Sequence, residues 1–415
     1  MNRIFLFNIK QLVGIQPEGT IVLKGDALNK LAVLDNAWLL TEGERILDFG
    51  KMADLPADFA PNATQIDAAG RIVLPAFVDS HTHIVYAGTR EDEFEMRLSG
   101  LSYEEIAKRG GGILNSATKL QHASQDELIA QSLMRLQDVI GMGTGALEIK
   151  SGYGLSEEGE LKMLRTIKAL HKETDATIKS TFLALHAIPT AYKANPDAYV
   201  ELMIETVLPQ VTEEGLAEYI DAFCEEGYFN VEQTERLLEA GARFGLKPKV
   251  HVNQFNTIGG IAASVKHNAV SVDHLEIMKP EDYPPLQNSN TIATLLPICS
   301  LFIQIPYGPA RELVKSNIAL ALATDFNPGS SPSGNMQLVQ SLACTQMKLT
   351  PTEAFNASTI NGAAALQLSH ELGSITKGKI ANILMTKPIP SLSYIAYNLG
   401  HNHIEKVILK GRLQG

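Results

Sequence analysis

The sequence predicts an α/β protein, a TIM-like (β/α)₈ barrel joined to a small composite β-sandwich domain that both chain termini build. Eight apolar runs rich in β-branched residues recur along the chain, and helical patterns separate several of them. Strands that are buried on both faces and alternate with helices form a parallel sheet. Eight such strands within about 250 residues favour a closed barrel over an open doubly wound sheet.

The predicted barrel strands follow one another through the middle of the chain. They cover residues 71–78, 144–150, 178–185, 219–224, 247–252, 270–273, 291–296 and 318–324. Residues 157–172 and 231–244 carry apolar side chains at helical spacing on one face, which predicts an amphipathic helix in each segment. This alternation of strand and helix supports the parallel barrel.

Both ends of the chain differ from the middle. Residues 1–70 contain short strand-like pieces separated by turn signals, and residues 372–415 contain an apolar strand at 406–410. Neither end is long enough to bury a good core alone, because small units hide proportionally less surface. We therefore predict one composite β-sandwich domain from 1–70 and 372–415, beside a barrel over 71–371. Two independent caps are the alternative.

The composition is that of a globular protein with little affinity for nucleic acid or anionic membranes. The 415 residues are 45% hydrophobic and 20% charged, and the formal net charge is −11. This balance excludes a disordered, collagen-like or coiled-coil chain. An acidic chain without a long Lys or Arg run is a poor partner for phosphate-rich surfaces, so we expect neither nucleic acid nor membrane as partners.

The cysteines and the N-terminus indicate a soluble cytoplasmic protein. Cys224, Cys299 and Cys344 are far apart and odd in number, which fits neither a disulfide framework nor a Cys-x-x-Cys zinc site. Lys10 interrupts the apolar N-terminal stretch and no small-residue cleavage site follows, so we expect no signal peptide. Five prolines between residues 283 and 310 argue against a membrane helix in that uncharged stretch.

Several histidines lie where a barrel places its catalytic groups, at the C-terminal ends of strands. Five of the eleven histidines do so: His81, His83, His186, His251 and His274. Two histidines at positions i and i+2 of an extended chain point to the same side, so both imidazoles of the His-x-His pair can bind one metal ion. A second such pair, at residues 401–403, lies outside the predicted barrel, so the pattern by itself is weak.

The combination of strand ends is more informative than any single histidine. His251 ends the fifth predicted strand, His274 follows the sixth and Asp325 follows the eighth. Each histidine alone is equally compatible with a hydrogen-bonded core residue. Four strand ends that offer imidazole or carboxylate around one barrel axis favour a metal site.

This pattern resembles the amidohydrolase superfamily, whose metal-dependent members use His-x-His on strand one, His on strands five and six, and Asp on strand eight. Binuclear members add a carboxylated lysine after strand four, and residues 221–226 contain no lysine. Lys150 ends the second predicted strand and is on the wrong strand for that role. The resemblance implies one metal ion, zinc or iron, because three imidazoles and a carboxylate suit either. The implied ligands are His81, His83, His251 and Asp325.

Longer motifs narrow the resemblance to the imidazolone-hydrolysing branch of this superfamily, which acts in histidine degradation. The motifs lie at residues 81–100, 102–106, 110–113, 148–154 and 324–332. The resemblance covers nearly the whole chain and implies a homodimer. It also implies a small-molecule substrate, imidazolone propionate (4-imidazolone-5-propanoate), whose cyclic amide is hydrolysed to N-formimidoyl-L-glutamate.

Such a substrate needs a group that holds its carboxylate and others that hold its ring. Arg90 follows the first barrel strand, and its guanidinium can bind a carboxylate at two points; pairing with Glu91 or Asp92 is the alternative. Tyr153 lies between two glycines that allow close backbone approach to a ligand, although it could be an ordinary turn residue. The resemblance makes His186 a further substrate contact. The predicted contacts after strand eight are Asn327, Gly329 and Ser330.

Gln254 occupies a position at which a glutamate could act as a catalytic base. It lies three residues after His251, where relatives carry Glu or Gln, and a carboxamide cannot accept a proton as a base. We include Gln254 with His274 and Asp325 among the catalytic residues, and also among the substrate contacts. Any proton transfer that a glutamate performs in relatives then passes to His274 or Asp325, or is absent.

We predict that Asp325 accepts a proton from the attacking water and that His274 stabilises the developing oxyanion. Two alternatives remain open from the sequence. One is a deaminase of a heterocyclic base with the same metal site, for which Arg90 would matter little because such bases lack a carboxylate. The other is a non-catalytic barrel that serves in assembly, although such relatives typically lose metal ligands.

Overall fold

A computed structural model describes residues 2–56, 59–101, 105 and 111–415 of the chain. Gly110, and the motif at 102–106 apart from residue 105, lie outside the described residues. The strands are β1 Arg3–Ile15, β2 Ala32–Glu42, β3 Arg45–Lys51, β4 Thr64–Asp67, β5 Ile72–Pro75, β6 Phe77–Asp79, β7 Thr144–Lys150, β8 Thr177–Leu185, β9 Tyr219–Cys224, β10 Lys247–Val252, β11 Ser271–His274, β12 Ile292–Leu295, β13 Leu320–Leu322, β14 Ile383–Thr386, β15 Ile404–Leu409 and β16 Arg412–Leu413.

Eight parallel strands, β6 to β13, form the barrel and neighbour one another in chain order. Each of the eight predicted runs overlaps one of these strands. The last gap in the barrel is bridged just beyond the strand ends, where the Asp325 amide donates to the His81 carbonyl at 3.0 Å and the His83 amide to the Phe326 carbonyl at 2.8 Å. The predicted barrel is therefore confirmed, and its closing seam carries the His-x-His pair.

The first predicted strand, residues 71–78, is wrong as a single barrel strand. The segment Ile72–Pro75 pairs with β14 and β1, outside the barrel, and Phe77–Asp79 alone pairs with β7. Every residue from Ile72 to Asp79 is buried. An apolar run that is buried throughout does not reveal where the chain passes from one sheet to another.

The second sheet combines both ends of the chain. Its strand order is β16-β15-β14-β5-β1-β2-β3, with β4 paired to β1. Ile4, Leu6 and Ile383 belong to one apolar cluster on it, while Phe5 and Trp38 belong to another. The two ends thus build one unit, in the form of a single mixed sheet; the domain boundaries themselves stay a prediction.

The helices surround the barrel strands. They are α1 Glu91–Leu98, α2 Ile113–His122, α3 Gln125–Gly141, α4 Glu157–Leu170, α5 Pro196–Glu201, α6 Leu208–Glu213, α7 Val231–Arg243, α8 Gly260–Lys266, α9 Tyr283–Gln287, α10 Pro297–Ile303, α11 Ala310–Lys315, α12 Met336–Thr345, α13 Pro351–Ala357, α14 Ile360–Ala365 and α15 Ser393–Tyr397. Both predicted amphipathic helices are confirmed, as α4 and α7. Their first turns are capped by Ser156 and Asn230, whose side chains accept a backbone N–H. None of the helices in the described part of the chain could cross a membrane.

We expect Asn361→Ala to lower stability by about 2–4 kcal/mol, because it leaves buried backbone groups unpaired. The Asn361 amide joins the N-terminal segment to the barrel: it accepts from the Leu23 amide and donates to the carbonyls of Leu23 and Leu320, each at 2.8 Å. Thermal unfolding measures the loss. Asn288→Ala, which removes an exposed amide bonded within α9 and its C-cap, is the control, and an equal effect of both variants would contradict the prediction.

Candidate metal centre and active site

The His-x-His pair and Asp325 converge at the C-terminal end of the barrel. The Nε2 atoms of His81 and His83 lie 3.3 Å apart, and each lies 3.5 Å from Oδ1 of Asp325. All three side chains are buried. Three closely spaced acceptor atoms repel one another unless a proton or a cation lies between them.

His251 and His274 complete the cluster. The ring centroids of His81 and His251 are 4.5 Å apart, and those of His251 and His274 are 5.3 Å apart. Potential ligand atoms of His81, His251 and His274 all lie within 4.8 Å of one another. The fold thus brings together the four predicted ligands and His274 from four separate strand ends, with the His-x-His pair counted as one.

Two of these histidines each contact a buried carboxylate. Nδ1 of His81 donates to Asp273 at 2.8 Å, and Ser271 donates to the same carboxylate at 2.6 Å. The His251 amide donates to Asp221 at 3.2 Å, and Nδ1 of the His251 ring lies 2.9 Å from that carboxylate. Carboxylates in this position orient metal-binding imidazoles and set their tautomer.

Lys150 links these carboxylates at the centre of the barrel. Its Nζ atom lies 2.8 Å from Asp221, 2.9 Å from Glu148 and 3.5 Å from Asp273. Burial and the Lys150 charge lower the pKa of His81 well below its usual value, and that of His251 likewise. Both imidazoles are therefore neutral, the form that binds a metal ion.

The donor set fits a metal ion. Burial lowers the pKa of His83 as well, and the nearby His186 and His251 rings further disfavour a positive charge there. Nδ1 of His83 is buried without a hydrogen-bond partner among the described residues. Neutral imidazoles around one carboxylate oxygen form the nitrogen-and-oxygen set that suits zinc or iron.

The backbone is strained at two of the site residues. His274 has φ +89° and Asp325 has φ +56°, a region in which residues other than glycine cost about 1–3 kcal/mol. The loop after Asp325 holds it in place: Asn327 donates to the Asp325 carbonyl at 2.7 Å, and Ser330 donates to its carboxylate at 3.3 Å. These two predicted substrate contacts thus also orient a predicted ligand.

A cavity of about 480 Å³ opens next to the cluster. All seven predicted substrate contacts line it: Arg90, Tyr153, His186, Gln254, Asn327, Gly329 and Ser330. Apolar side chains such as Phe223, Phe255 and Ile305 complete the wall. A mostly apolar pocket with a few convergent polar groups is the usual form of a small-molecule site.

Arg90 is held at the cavity wall by a partner that the sequence did not single out. It pairs with Glu93, at 3.0 Å and 2.5 Å. Gly329 makes room for it, since a Cβ atom at that position would lie 2.2 Å from Nη1 of Arg90. The guanidinium is therefore fixed beside the loop that follows Asp325.

Tyr153 and His186 pack against the predicted ligands. The His186 ring stacks on His83 with centroids 5.5 Å apart, and the Tyr153 ring meets both at its edge. Nδ1 of His186 donates to the Gly152 carbonyl at 2.9 Å. Burial lowers the pKa of His186 to about 4, so this imidazole is neutral and offers one acceptor nitrogen.

Gln254 and His274 each rest on a glutamate that the sequence analysis missed. Glu225 accepts the amides of Gln254, Phe255 and Asn256 at 2.9–3.1 Å and so shapes the loop after β10. Glu276 accepts from Nδ1 of His274 at 3.2 Å. Burial is the largest single influence and lowers the pKa of His274, but the charge and hydrogen bond of Glu276, together with the charges of Asp325 and Asp273, outweigh it and raise that pKa.

The spacing of polar residues within the strands could have predicted the buried charge network around Lys150. Residues two apart in a barrel strand point to the same side, and polar residues at that spacing occur in three predicted strands. The pairs are Glu148 with Lys150, Lys249 with His251, and Ser271 with Asp273. Charged residues at this spacing inside mainly apolar runs indicate a polar barrel interior beneath the site.

Comparisons with known proteins agree with this geometry. The amidohydrolase family model matches residues 232–413. The imidazolonepropionase of Christiangramia forsetii is 56% identical over 406 residues, and that of Flavobacterium johnsoniae is 54% identical, with 98% of each chain covered in both cases. Among solved structures, the guanine deaminase of E. coli has a TM-score of 0.76 at 12% identity, covering 100% of this chain and 99% of that one, which supports the fold alone.

We expect Lys150→Met to reduce metal content. Loss of the charge between Asp221 and Asp273 disturbs the carboxylates that orient His81 and His251, and changes of this kind cost about 10–100-fold in metal affinity. Elemental analysis of protein dialysed against a weak chelator measures the effect. Lys379→Met removes another buried lysine, in the terminal segment, and is expected to keep its metal; equal loss in both variants would contradict a specific role for Lys150.

Proposed function

This chain belongs to the imidazolonepropionase family of the amidohydrolases, and we propose that it hydrolyses the ring amide of 4-imidazolone-5-propanoate to N-formimidoyl-L-glutamate. Relatives of that name match it over 98% of its length at more than 50% identity. The observation that carries the proposal is the cavity whose wall contains both Arg90, a group suited to a carboxylate, and His186, whose ring stacks on His83 of the histidine cluster. Neither a base deaminase nor a non-catalytic barrel is favoured by these relatives.

We propose that one metal ion, zinc or iron, is bound by His81, His83, His251 and Asp325. When bound, such an ion lowers the pKa of coordinated water towards neutrality and polarises a carbonyl. Support comes from the close approach of the acceptor atoms and from the neutral state of the three imidazoles. Asp221 and Asp273 would keep two of the rings in place.

Arg90 is proposed to hold the substrate carboxylate. A guanidinium presents two parallel N–H groups to a carboxylate, and Glu93 orients it from the other side. Tyr153, His186 and Asn327 are proposed to contact the ring or its substituents. The glutamate pairing leaves the arginine correctly placed before substrate arrives, so little ordering is needed on binding.

Asp325 and His274 are proposed to handle the proton and the charge of the reaction. Burial raises the pKa of Asp325 to about 6, and a base with a pKa near the working pH is the most effective. The raised pKa of His274 suits a group that donates a hydrogen bond to a developing oxyanion. Gln254 is proposed to contact the substrate through its amide, since it cannot act as a base.

Other proposals concern the whole molecule. We propose a composite domain from 1–70 and 372–415, to which Ile72–Pro75 adds a strand, and a barrel over the remainder of 71–371. We also propose a cytoplasmic homodimer that has no nucleic-acid or membrane partner. Light scattering of the eluting protein during gel filtration tests the dimer.

The reaction is tested by incubating metal-loaded protein with 4-imidazolone-5-propanoate. We expect loss of the substrate and formation of N-formimidoyl-L-glutamate, followed by chromatography with mass detection. Guanine is the control substrate. Ammonia release from guanine, without turnover of the imidazolone, would overturn the proposal in favour of a deaminase.

We expect His251→Ala to lose most of its metal and its activity, because the substitution removes one of the four proposed ligands. Elemental analysis gives the metal content. His401→Ala, which removes an exposed histidine of the other His-x-His pair, should retain both. A full equivalent of metal in purified His251→Ala protein would contradict the ligand assignment.

We expect Arg90→Ala to keep its metal and to raise KM for the propionate substrate about 10–100-fold, the loss of a charge-assisted pair worth about 1.5–3 kcal/mol. Steady-state kinetics measures the change. Arg236→Ala, which breaks an exposed pair with Asp197, is the control. An unchanged KM in Arg90→Ala protein would exclude carboxylate binding by this residue.

A further inference from the structure

A second group of metal-binding side chains lies beside the proposed metal centre. We call His274, Glu276 and Cys299 the Cys299 cluster; one ligand atom from each lies within 4.8 Å of the other two. All three side chains are buried. They come from the end of β11, the loop after it and the first turn of α10, so the fold brings them together over a separation of 25 residues.

Glu276 carries an unsatisfied atom in this cluster. Its Oε1 atom accepts from Nδ1 of His274 at 3.2 Å and is 3.5 Å from the Ser300 hydroxyl. Its Oε2 atom is buried and has no hydrogen-bond partner among the described residues, and only 1% of the side chain is exposed. A buried carboxylate oxygen without a partner is costly, and a cation would satisfy it.

We propose that the Cys299 cluster binds a second, borderline or soft divalent cation such as Zn²⁺ or Cd²⁺. Imidazole, carboxylate and thiolate are the ligands that these ions prefer, with water in the fourth position of a tetrahedron. Binding releases the thiol proton of Cys299 to solvent and displaces the proton from Nδ1 of His274, so that the ring binds the cation as its neutral Nε2–H tautomer. Hard ions such as Mg²⁺ require oxygen ligands and are excluded.

The cation reaches the cluster through the substrate cavity. Gln254 lines that cavity and donates from Nε2 to Sγ of Cys299 at 3.5 Å, so the thiol lies directly behind a side chain of the cavity wall. A substrate that occupies the cavity covers this route. Substrate therefore slows the binding of the second cation.

Occupation of the cluster inhibits the enzyme, an effect that rests on the proposed function. His274 is proposed to donate to the oxyanion, and its Nδ1–H bond to Glu276 fixes the orientation of the ring. A cation on Nδ1 replaces that bond and removes the favourable charge of Glu276. The expected consequence is a fall in kcat with excess cation, reversed by a chelator.

Binding is tested with enzyme that holds one equivalent of zinc, to which Cd²⁺ is added. We expect the ultraviolet charge-transfer absorption of a Cd²⁺–thiolate bond to saturate at one equivalent of Cd²⁺, with the zinc retained by elemental analysis. Cys299→Ala should abolish the absorption, and Cys344→Ala, which removes a more exposed thiol, should keep it. Absorption that persists in Cys299→Ala, or disappears in Cys344→Ala, would overturn the proposal.

Inhibition is measured on the same proteins, each relative to its own activity without Cd²⁺. The midpoint of inhibition should rise about tenfold or more in Cys299→Ala, as expected for the loss of a ligand or its support, and stay unchanged in Cys344→Ala. Saturating substrate should slow the onset in the unmodified protein. Cys299-dependent absorption without inhibition would support the site and overturn the proposed role of His274, so the two proposals fail separately.

Discussion

The buried ion network around Lys150 is the interaction on which the site depends. Its ammonium group lies within 3.5 Å of Glu148, Asp221 and Asp273, and two of these carboxylates hold His81 and His251. Removing such charges from water costs several kcal/mol per ion unless they are paired and hydrogen-bonded. Lys150 pairs with all three carboxylates, and its positive charge opposes their protonation. The same charge adds to the effect of burial in lowering the pKa of His81 and of His251.

The construction of the barrel and that of the site are inseparable. The segment with His81 and His83 bonds on one side to the residues after β13, and on the other side Lys150 donates its amide to the Thr82 carbonyl at 2.9 Å. The strained conformation of Asp325 is held by the loop that also lines the cavity. A ligand that draws His81, His83 and Asp325 together would therefore stabilise the closure of the barrel as well.

The cavity combines fixed groups from several loops. Arg90 is held by Glu93 and fits against Gly329, whereas Gln254 depends on the loop that Glu225 organises. Each polar group is thus positioned by another residue behind it. Such prior ordering reduces the entropy lost when a small substrate binds. A few polar groups in a mostly apolar cavity are therefore enough to orient the substrate.

Periodicity within short segments was enough to predict the eight barrel strands, both amphipathic helices and the convergence of His81 with His83, because these features depend on spacing along the chain. Strand-end positions and family resemblance then predicted the seven cavity residues. Three features depended on tertiary contacts: the passage from β5 to β6 within one apolar run, the pairing of Arg90 with Glu93, and the linkage of Asp221 to Asp273 through Lys150. Each of these features joins residues that are distant in sequence. The partner of a buried charge is therefore decided only when the folded barrel brings the two residues together.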